Sequence, residues 1–383
     1  MLTIDLICFS HLRWNFVYQR PQHLLSRFAN QQRVFFIEEP IYDAESDFYS
    51  INKEEGKNLW VITPHIQNNL TAEHSAQRQK LLLSLLMEDM QINKYICWYF
   101  TPMALDFSEH LTPMLTIFDC MDELSAFKFA PPELKEKESQ LLQKADIVFT
   151  GGYSLFLKKK DRNANVHYFP SSIDKDHFLK ARAKETVDPY DQQEIPHPRL
   201  GYFGVLDERL DIELVRKMAG LRSEWHFIFV GPVVKIDPQI LPQAPNIHYL
   251  GHKTYQELPN YLAGWDIALM PFALNESTRF ISPTKTPEYL AGGKPVISTA
   301  IVDVVETYGN KGLVYLADTA EDFISAATHS LNHPEKKEEW LKDIDEELND
   351  NSWDKTWKQM TERIEEALKG KNIVEPDKTE AYV

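Results

Sequence analysis

Short apolar runs alternate with amphipathic stretches along the 383 residues of the chain. In the first half the apolar runs are Ile4–Phe9, Val34–Ile37, Leu59–Thr63, Tyr95–Phe100, Leu115–Phe118, Ile147–Thr150 and Val166–Phe169. Rich in β-branched and aromatic side chains, they predict buried strands. Between them, Pro21–Ala29, Gln77–Met90, Glu133–Lys144 and Tyr153–Lys160 carry apolar residues at helical spacing. Pro21 suits a first helical turn, where a missing N–H is harmless.

A polar, proline-containing stretch, residues 185–198, reads as a linker. Alternation then resumes. Leu200–Phe203, His226–Val230, Ile247–Leu250, Ile267–Met270, Pro295–Ser298 and Leu313–Tyr315 predict strands. Asp211–Leu221, Tyr255–Ala263, Thr286–Ala291, Val302–Tyr308 and Ala320–Leu331 predict helices, the last capped by Asp318 with Glu321 three residues on. Strand–helix alternation implies parallel sheets covered by helices. The fold class is therefore α/β: two Rossmann-like domains, residues 1–184 and 199–351, facing across a cleft at the carboxyl ends of their strands. Trp353, Trp357 and Met360 recur at helical spacing, so a last helix of about residues 352–369 is expected to pack back on the first domain. Residues 370–383 read as a flexible polar tail.

Charge narrows the partners. There are 57 acids against 41 bases, a formal charge of -16, and residues 301–350 hold 13 acids and 4 bases. This acidity disfavours nucleic acid as a partner. Lys158–Arg162 is a local basic run, suited to a solvated helix end or to contact with anionic lipid. No apolar run reaches the roughly 18–20 residues of a membrane span. The start, with Asp5 inside its apolar run, does not read as a secretory signal. Cys8, Cys97 and Cys120 are an odd set without metal-ligand spacing, and read as buried thiols in a cytoplasmic protein.

The segment Phe280–Ser298 holds the most chemistry. Ser282, Thr284 and Lys285 precede a short helix, and Glu288 lies one turn inside it. Amides at a helix start and a lysine suit a diphosphate, and a carboxylate suits sugar hydroxyls. The same grammar also describes an ordinary capped helix in an α/β sheet.

Pro283, Lys285, Glu288, Tyr289, Leu290, Ala291, Gly293, Lys294, Pro295 and Val296 spell Pro-x-Lys-x-x-Glu-Tyr-Leu-Ala-x-Gly-Lys-Pro-Val. This resembles the carboxyl-domain motif of GT-B glycosyltransferases of the family-four type, most closely the teichuronic-acid glycosyltransferase-like branch. Leu200–Asp211 resembles that family's first carboxyl-domain strand and glycine turn. Gly231, Pro232, His252 and Lys253 resemble its base-flanking loops. Phe118–Glu123 and Pro170–Asp174 also match the branch. The resemblance implies a donor site of Gly204, Arg209, Gly231, Pro232, His252, Lys253, Ser282, Thr284, Lys285 and Glu288 in the second domain, and an acceptor site in the first. The broader family often carries an acid eight residues before the motif glutamate. That position is Phe280 here, and Glu276 is the nearest upstream acid.

Ser10–His23 follows the first strand and is rich in polar and aromatic residues. His11, Arg13, Trp14 and Arg20 suit an acceptor sugar or phosphate; equally, Trp14, Phe16 and Tyr18 suit a hinge core. Asp119, directly after Leu115–Phe118, and Asp122 are the catalytic candidates, able to take a proton from an acceptor hydroxyl. Asp119 is equally suited to capping a helix. The Asp-x-Asp pairs at Asp174/Asp176 and Asp343/Asp345 do not follow strands as a metal–nucleotide site would, so no metal and no cofactor are expected beyond the nucleotide-diphosphate sugar as co-substrate. The resemblance implies a retaining, metal-independent hexosyltransferase acting on a glycan or lipid-linked acceptor in cell-surface polysaccharide synthesis, cytoplasmic and at the inner membrane's periphery. A nucleotide-sugar epimerase of the same fold is the alternative. A non-catalytic sugar-nucleotide-binding protein is the other, given Phe280.

Overall fold

The computed structural model describes residues 4–374. Eight strands form the first sheet: β1 (Asp5–Phe9), β2 (Val34–Ile37), β3 (Phe48–Lys53), β4 (Leu59–His65), β5 (Tyr95–Tyr99), β6 (Leu115–Cys120), β7 (Ile147–Thr150) and β8 (Val166–Tyr168). Their order is β3-β4-β2-β1-β5-β6-β7-β8. Six strands form the second: β9 (Arg199–Phe203), β10 (His226–Val230), β11 (Ile247–Gly251), β12 (Ile267–Met270), β13 (Val296–Ser298) and β14 (Tyr315–Leu316), ordered β11-β10-β9-β12-β13-β14. All pairs are parallel except β3 with β4. In both sheets the strand order reverses beside the first strand. There the flanking loops part and leave a crevice for a ligand.

Most strands are buried on both faces, which is why they appear in sequence as continuous apolar runs. Strand β3 lacks that signature. Five of its six residues are exposed, and it pairs antiparallel on the sheet edge through the turn at Gly56. Its terminal Lys53 places a charge on that edge, a feature that discourages further pairing.

Three expectations change. The stretch 185–198 is not free. It contains a short helix, Tyr190–Gln193, and Gln192 accepts the Trp265 indole N–H at 2.9 Å while donating to the Tyr261 carbonyl at 3.0 Å. The cap of helix Ala320–Asn332 is Thr319, whose hydroxyl accepts from Asp322 N at 3.2 Å; Asp318 instead accepts from Ala300 N at 3.0 Å. The basic run is a solvated end except at Lys159, which is fully buried between Glu123 and Glu138 while Lys158, Lys160, Asp161 and Arg162 are exposed.

The last helix, Trp353–Val374, crosses back to the first sheet. Trp353 stacks on His23 with ring centroids 4.6 Å apart, and Met360 and Ile364 join that sheet's core. The expected polar tail begins inside this helix; residues 375–383 lie outside the described residues. Cys8, Cys97 and Cys120 are free and buried. Among the described residues, no helix is long and apolar enough to cross a membrane.

One buried ion pair ties the first sheet to the helix Arg20–Phe28. Arg20 Nε donates to both carboxylate oxygens of Asp119 at 3.0 Å, and Nη1 donates to the Phe169 carbonyl at 2.8 Å. Asp119 is 0% exposed and Arg20 1%. This corrects two candidates. The Asp119 carboxylate faces Arg20 rather than a substrate, and the Arg20 guanidinium is spent inside the fold. Burial pushes the Asp119 carboxyl upward, opposed by Arg20. Removing one member of such a pair strands a charge in low dielectric. Arg20→Ala is therefore expected to lose about 3–5 kcal/mol of unfolding free energy. The double variant Arg20→Met/Asp119→Leu, with no charge left to strand, should recover most of it. Denaturant melts of the three proteins check this; a single variant as stable as the parent contradicts it.

Candidate functional site

A cleft of about 660 Å³ opens between the carboxyl ends of the two sheets. Its walls are the loops after β1, β6, β9, β10, β11 and β12. Such loops carry site residues because strands fix their bases while their tips can vary.

The second-sheet wall is built on two glycine turns. Gly204 follows β9 with φ 142°, and Gly231 follows β10 with φ 150°, backbone that disfavours any other residue. A Cβ on Gly231 would stand 1.9 Å from the Gly204 carbonyl oxygen, and one on Gly204 would stand 2.0 Å from Cε of Lys285. The turns are therefore packed against each other and against Lys285, with bare backbone facing the cleft. Lys285 starts helix Lys285–Ala291, and its ammonium lies 5.7 Å from the centre of the Tyr202 ring.

Arg209 stands beside them. Its Nε reaches the Asp207 carboxylate at 3.0 and 3.1 Å and its Nη2 at 2.6 Å, which fixes the guanidinium plane. Its Cζ lies over the ring of Phe127, from the first domain, 5.6 Å from the ring centre. Burial opposes the Arg209 charge, but Asp207 outweighs it and the group is held above its usual range. Burial lowers Lys285 to about 8, with Arg209 adding to the shift and Glu288 opposing it. Burial raises the Glu288 carboxyl, with Lys285 opposing. Across the cleft, burial raises Asp122 to about 6 while Arg209 and Lys285 pull it down. The four groups thus share one electrostatic environment, in which an entering anion favours the charged lysine.

Of the residues singled out in sequence, His11, Arg13, Trp14, Arg20, Asp122, Gly204, Arg209, Gly231, Pro232, His252, Lys253, Ser282, Thr284, Lys285 and Glu288 line this cleft, and Asp119 does not. Lining is not the same as offering a free group. Trp14 is 6% exposed and packs edge-on to Phe36, so of its two readings the core is the one realised. Arg13 is held at the mouth by Glu38 at 2.9 Å and by the Glu39 carbonyl at 2.6 Å. The Lys253 ammonium turns to Asp191 at 2.6 Å, so it is not an uncommitted cation. His11 is half-buried; desolvation lowers it to about 4 with help from Lys235, and its Nδ1 has no hydrogen-bond partner among the described residues. Glu276 does not occupy the missing acidic position; it points to solvent, 78% exposed, 3.9 Å from Arg279.

Other cleft residues escaped sequence reasoning. Asp207, Lys235 and Phe127 all border the cavity. Asp207 had a local signal, since its side chain accepts from Arg209 N at 3.0 Å, the Asx turn that two-residue spacing permits. Lys235 follows β10 in a loop equivalent to the one that carries Arg209 after β9. The two Asp-x-Asp pairs have other duties: Asp174 caps helix Lys175–Leu179 and Asp345 pairs with Arg182 at 2.9 Å. Among the described residues, no three His, Cys, Asp or Glu side chains are grouped to hold a metal ion.

Residues 197–333 match the family model described as glycosyl transferases group 1. The chain is 23% identical to TuaH of Bacillus subtilis (strain 168), named as a teichuronic acid biosynthesis glycosyltransferase, over 75% of this chain and 83% of that protein. Sucrose-phosphate synthase from Thermosynechococcus elongatus superposes with a TM-score of 0.71 at 13% identity, covering 96% of this chain and 100% of that one. The catalytic domain of starch synthase IV from Arabidopsis thaliana superposes with a TM-score of 0.65 at 12% identity, covering 96% and 99%. The chain thus has the GT-B fold, and its residues 197–333 are similar to the group 1 glycosyl transferases.

Proposed function

We propose that the protein is a retaining glycosyltransferase. It would move a hexosyl unit from a nucleotide-diphosphate sugar to a glycan or lipid-linked acceptor in cell-surface polysaccharide synthesis, from the cytoplasmic side and at the periphery of the inner membrane. The observation that carries this reading is the convergence of Gly204, Gly231, Arg209, Lys285 and Glu288 in one cavity with Asp122. At about 660 Å³ it is within the size of small-molecule sites, about 300–1,000 Å³. TuaH, by its name, belongs to teichuronic acid biosynthesis. Neighbours of the same fold are described as bound to UDP-2-fluoro glucose and to ADP.

In this reading the acceptor oxygen bonds to the anomeric carbon as the bond from that carbon to the diphosphate breaks, and the leaving diphosphate keeps the electron pair. Its growing charge falls to Arg209 and Lys285, fixed cations in a site screened from water. No resident metal is called on. Glu288 accepts from sugar hydroxyls. Asp122, ionised at neutral pH, takes the acceptor hydroxyl proton.

Calorimetry with a panel of nucleoside diphosphates tests the donor side. Lys285→Ala, Arg209→Ala and Glu288→Ala should each weaken the best ligand by about tenfold or more, as lost charge-assisted hydrogen bonds do. Unchanged affinity in all three contradicts the placement. The sign of the pH dependence also follows. Free Lys285 titrates at about 8, and a bound diphosphate raises that value. Donor affinity should be level below that pH and fall above it, as binding comes to need a proton. A nucleotide-diphosphate sugar is the right probe, because its diphosphate diester does not titrate in this range; Lys285→Met should flatten the profile. Asp122→Asn should leave donor affinity intact and lower transfer by about 100-fold or more. It should also abolish the loss of activity that the parent shows as pH falls through about 6. Full activity in Asp122→Asn removes that residue from the mechanism.

A further inference from the structure

The second domain grips a first-domain helix at both ends, away from the donor wall. That helix is Tyr153–Lys159. At its start, the Asp303 carboxylate accepts from Tyr153 N at 2.7 Å and from Ser154 N at 3.0 Å. Asp303 belongs to helix Val302–Thr307 of the second domain and is 3% exposed. The approach depends on Gly152: a Cβ there would stand 2.2 Å from Asp303 Oδ2 and 2.8 Å from Cβ of Ser282. At the helix's other end, the Lys158 ammonium lies 4.2 Å from the centre of the Phe280 ring. The Phe280 ring also packs on the first sheet's core. Lys158 in turn meets the Glu123 carboxylate at 3.0 Å, and Lys159 meets it at 2.8 Å.

Two segments of the candidate site are tied through these contacts. Ser282–Lys285 lies between Phe280 and Asp303 in sequence. Asp122 is the neighbour of Glu123. Neither Phe280 nor Asp303 lines the 660 Å³ cleft; Asp303 lines a separate cavity of about 270 Å³. Position 280, which in the broader family often carries an acid, serves here as an apolar contact between domains.

We propose that Asp303 and Phe280 are positioning residues: they clasp helix Tyr153–Lys159 and so set how the Ser282–Lys285 loop faces Asp122. Among the described residues, the amides of Tyr153 and Ser154 donate to no side chain other than this carboxylate, and the missing side chain of Gly152 makes room for it. A buried carboxylate bound to two amides resists sliding, because breaking both bonds strands its charge. The cation over the Phe280 ring holds the far end against rotation.

The inference rests on the glycosyltransferase reading for its kinetic consequence but not for its structural one. The test uses the full chain and its Asp303→Ala, Asp303→Asn and Phe280→Ala variants. A donor–acceptor dye pair, one on each domain, reports the interdomain distance distribution. Calorimetry with the best-binding nucleoside diphosphate reports the donor site, and steady-state kinetics report transfer. All variants should broaden the distance distribution. Donor affinity should change by less than about threefold, since the donor wall lies within one domain. The kcat should fall by about tenfold or more, as misplacement of reacting groups by about 1 Å does. Asp303→Ala and Phe280→Ala break opposite ends of the clasp, so a folding defect in one leaves the other to decide. An unchanged distance distribution overturns the proposal whether or not transfer is detected. So does an unchanged kcat alongside a broadened distribution, or a loss of donor affinity as large as that of Lys285→Ala. Should no variant or parent transfer sugar, a broadened distribution still supports the clasp, and the glycosyltransferase reading alone fails.

Discussion

The donor wall depends on a space that no side chain can share. Gly231 presses on the Gly204 carbonyl, and Gly204 presses on the stem of Lys285, each with less room than a methyl group needs. The strands behind these turns are parallel and buried, so their ends are held in register and cannot drift apart to admit a larger residue. The consequence is a lysine laid against bare backbone and partly withdrawn from bulk water. Its charge is therefore poorly solvated until an anion arrives. Arg209 is treated differently. Asp207 chelates it, so its charge is kept but its orientation is fixed. One cation is poised by desolvation, the other by pairing.

Buried ion pairs frame the opposite wall. Asp119 is chelated by Arg20, and Glu123 is gripped by Lys158 and Lys159. Between these anchored carboxylates, Asp122 is the acid that turns to the cleft. Such pairs gain little net stability, because desolvation offsets most of their attraction. What they do provide here is placement: the loop after β6 has a charged anchor on each side of the residue that faces the ligand. The clasp of helix Tyr153–Lys159 extends that placement across the gap between domains.

Much of the architecture was legible in the sequence because parallel strands buried on both faces are written as plain apolar runs. The exception was β3, whose exposed residues follow edge logic rather than core logic. The cleft residues were legible where glycine, lysine and glutamate stand at fixed offsets from a strand end, as in Gly204 and Phe280–Ser298. Pairing was not legible. Arg20 and Asp119 lie 99 positions apart, and nothing local says that one consumes the other. Lys253 and Asp191 repeat the lesson at 62 positions. Trp14 shows the related limit that an aromatic residue beside a site reads the same whether it touches ligand or fills a core. The polar stretch 185–198 looked like a linker because its partners, Trp265 and Tyr261, come much later in the chain.

The central claim is that a diphosphate is held by the two glycine turns, Arg209 and Lys285. The most direct measurement is a crystal structure of the protein soaked with its best-binding nucleoside diphosphate. The account predicts phosphate density against the backbone of Gly204 and Gly231, within hydrogen-bonding reach of the Lys285 ammonium and the Arg209 guanidinium. Density for the diphosphate on the first-domain wall, or anywhere out of reach of both cations, would contradict it.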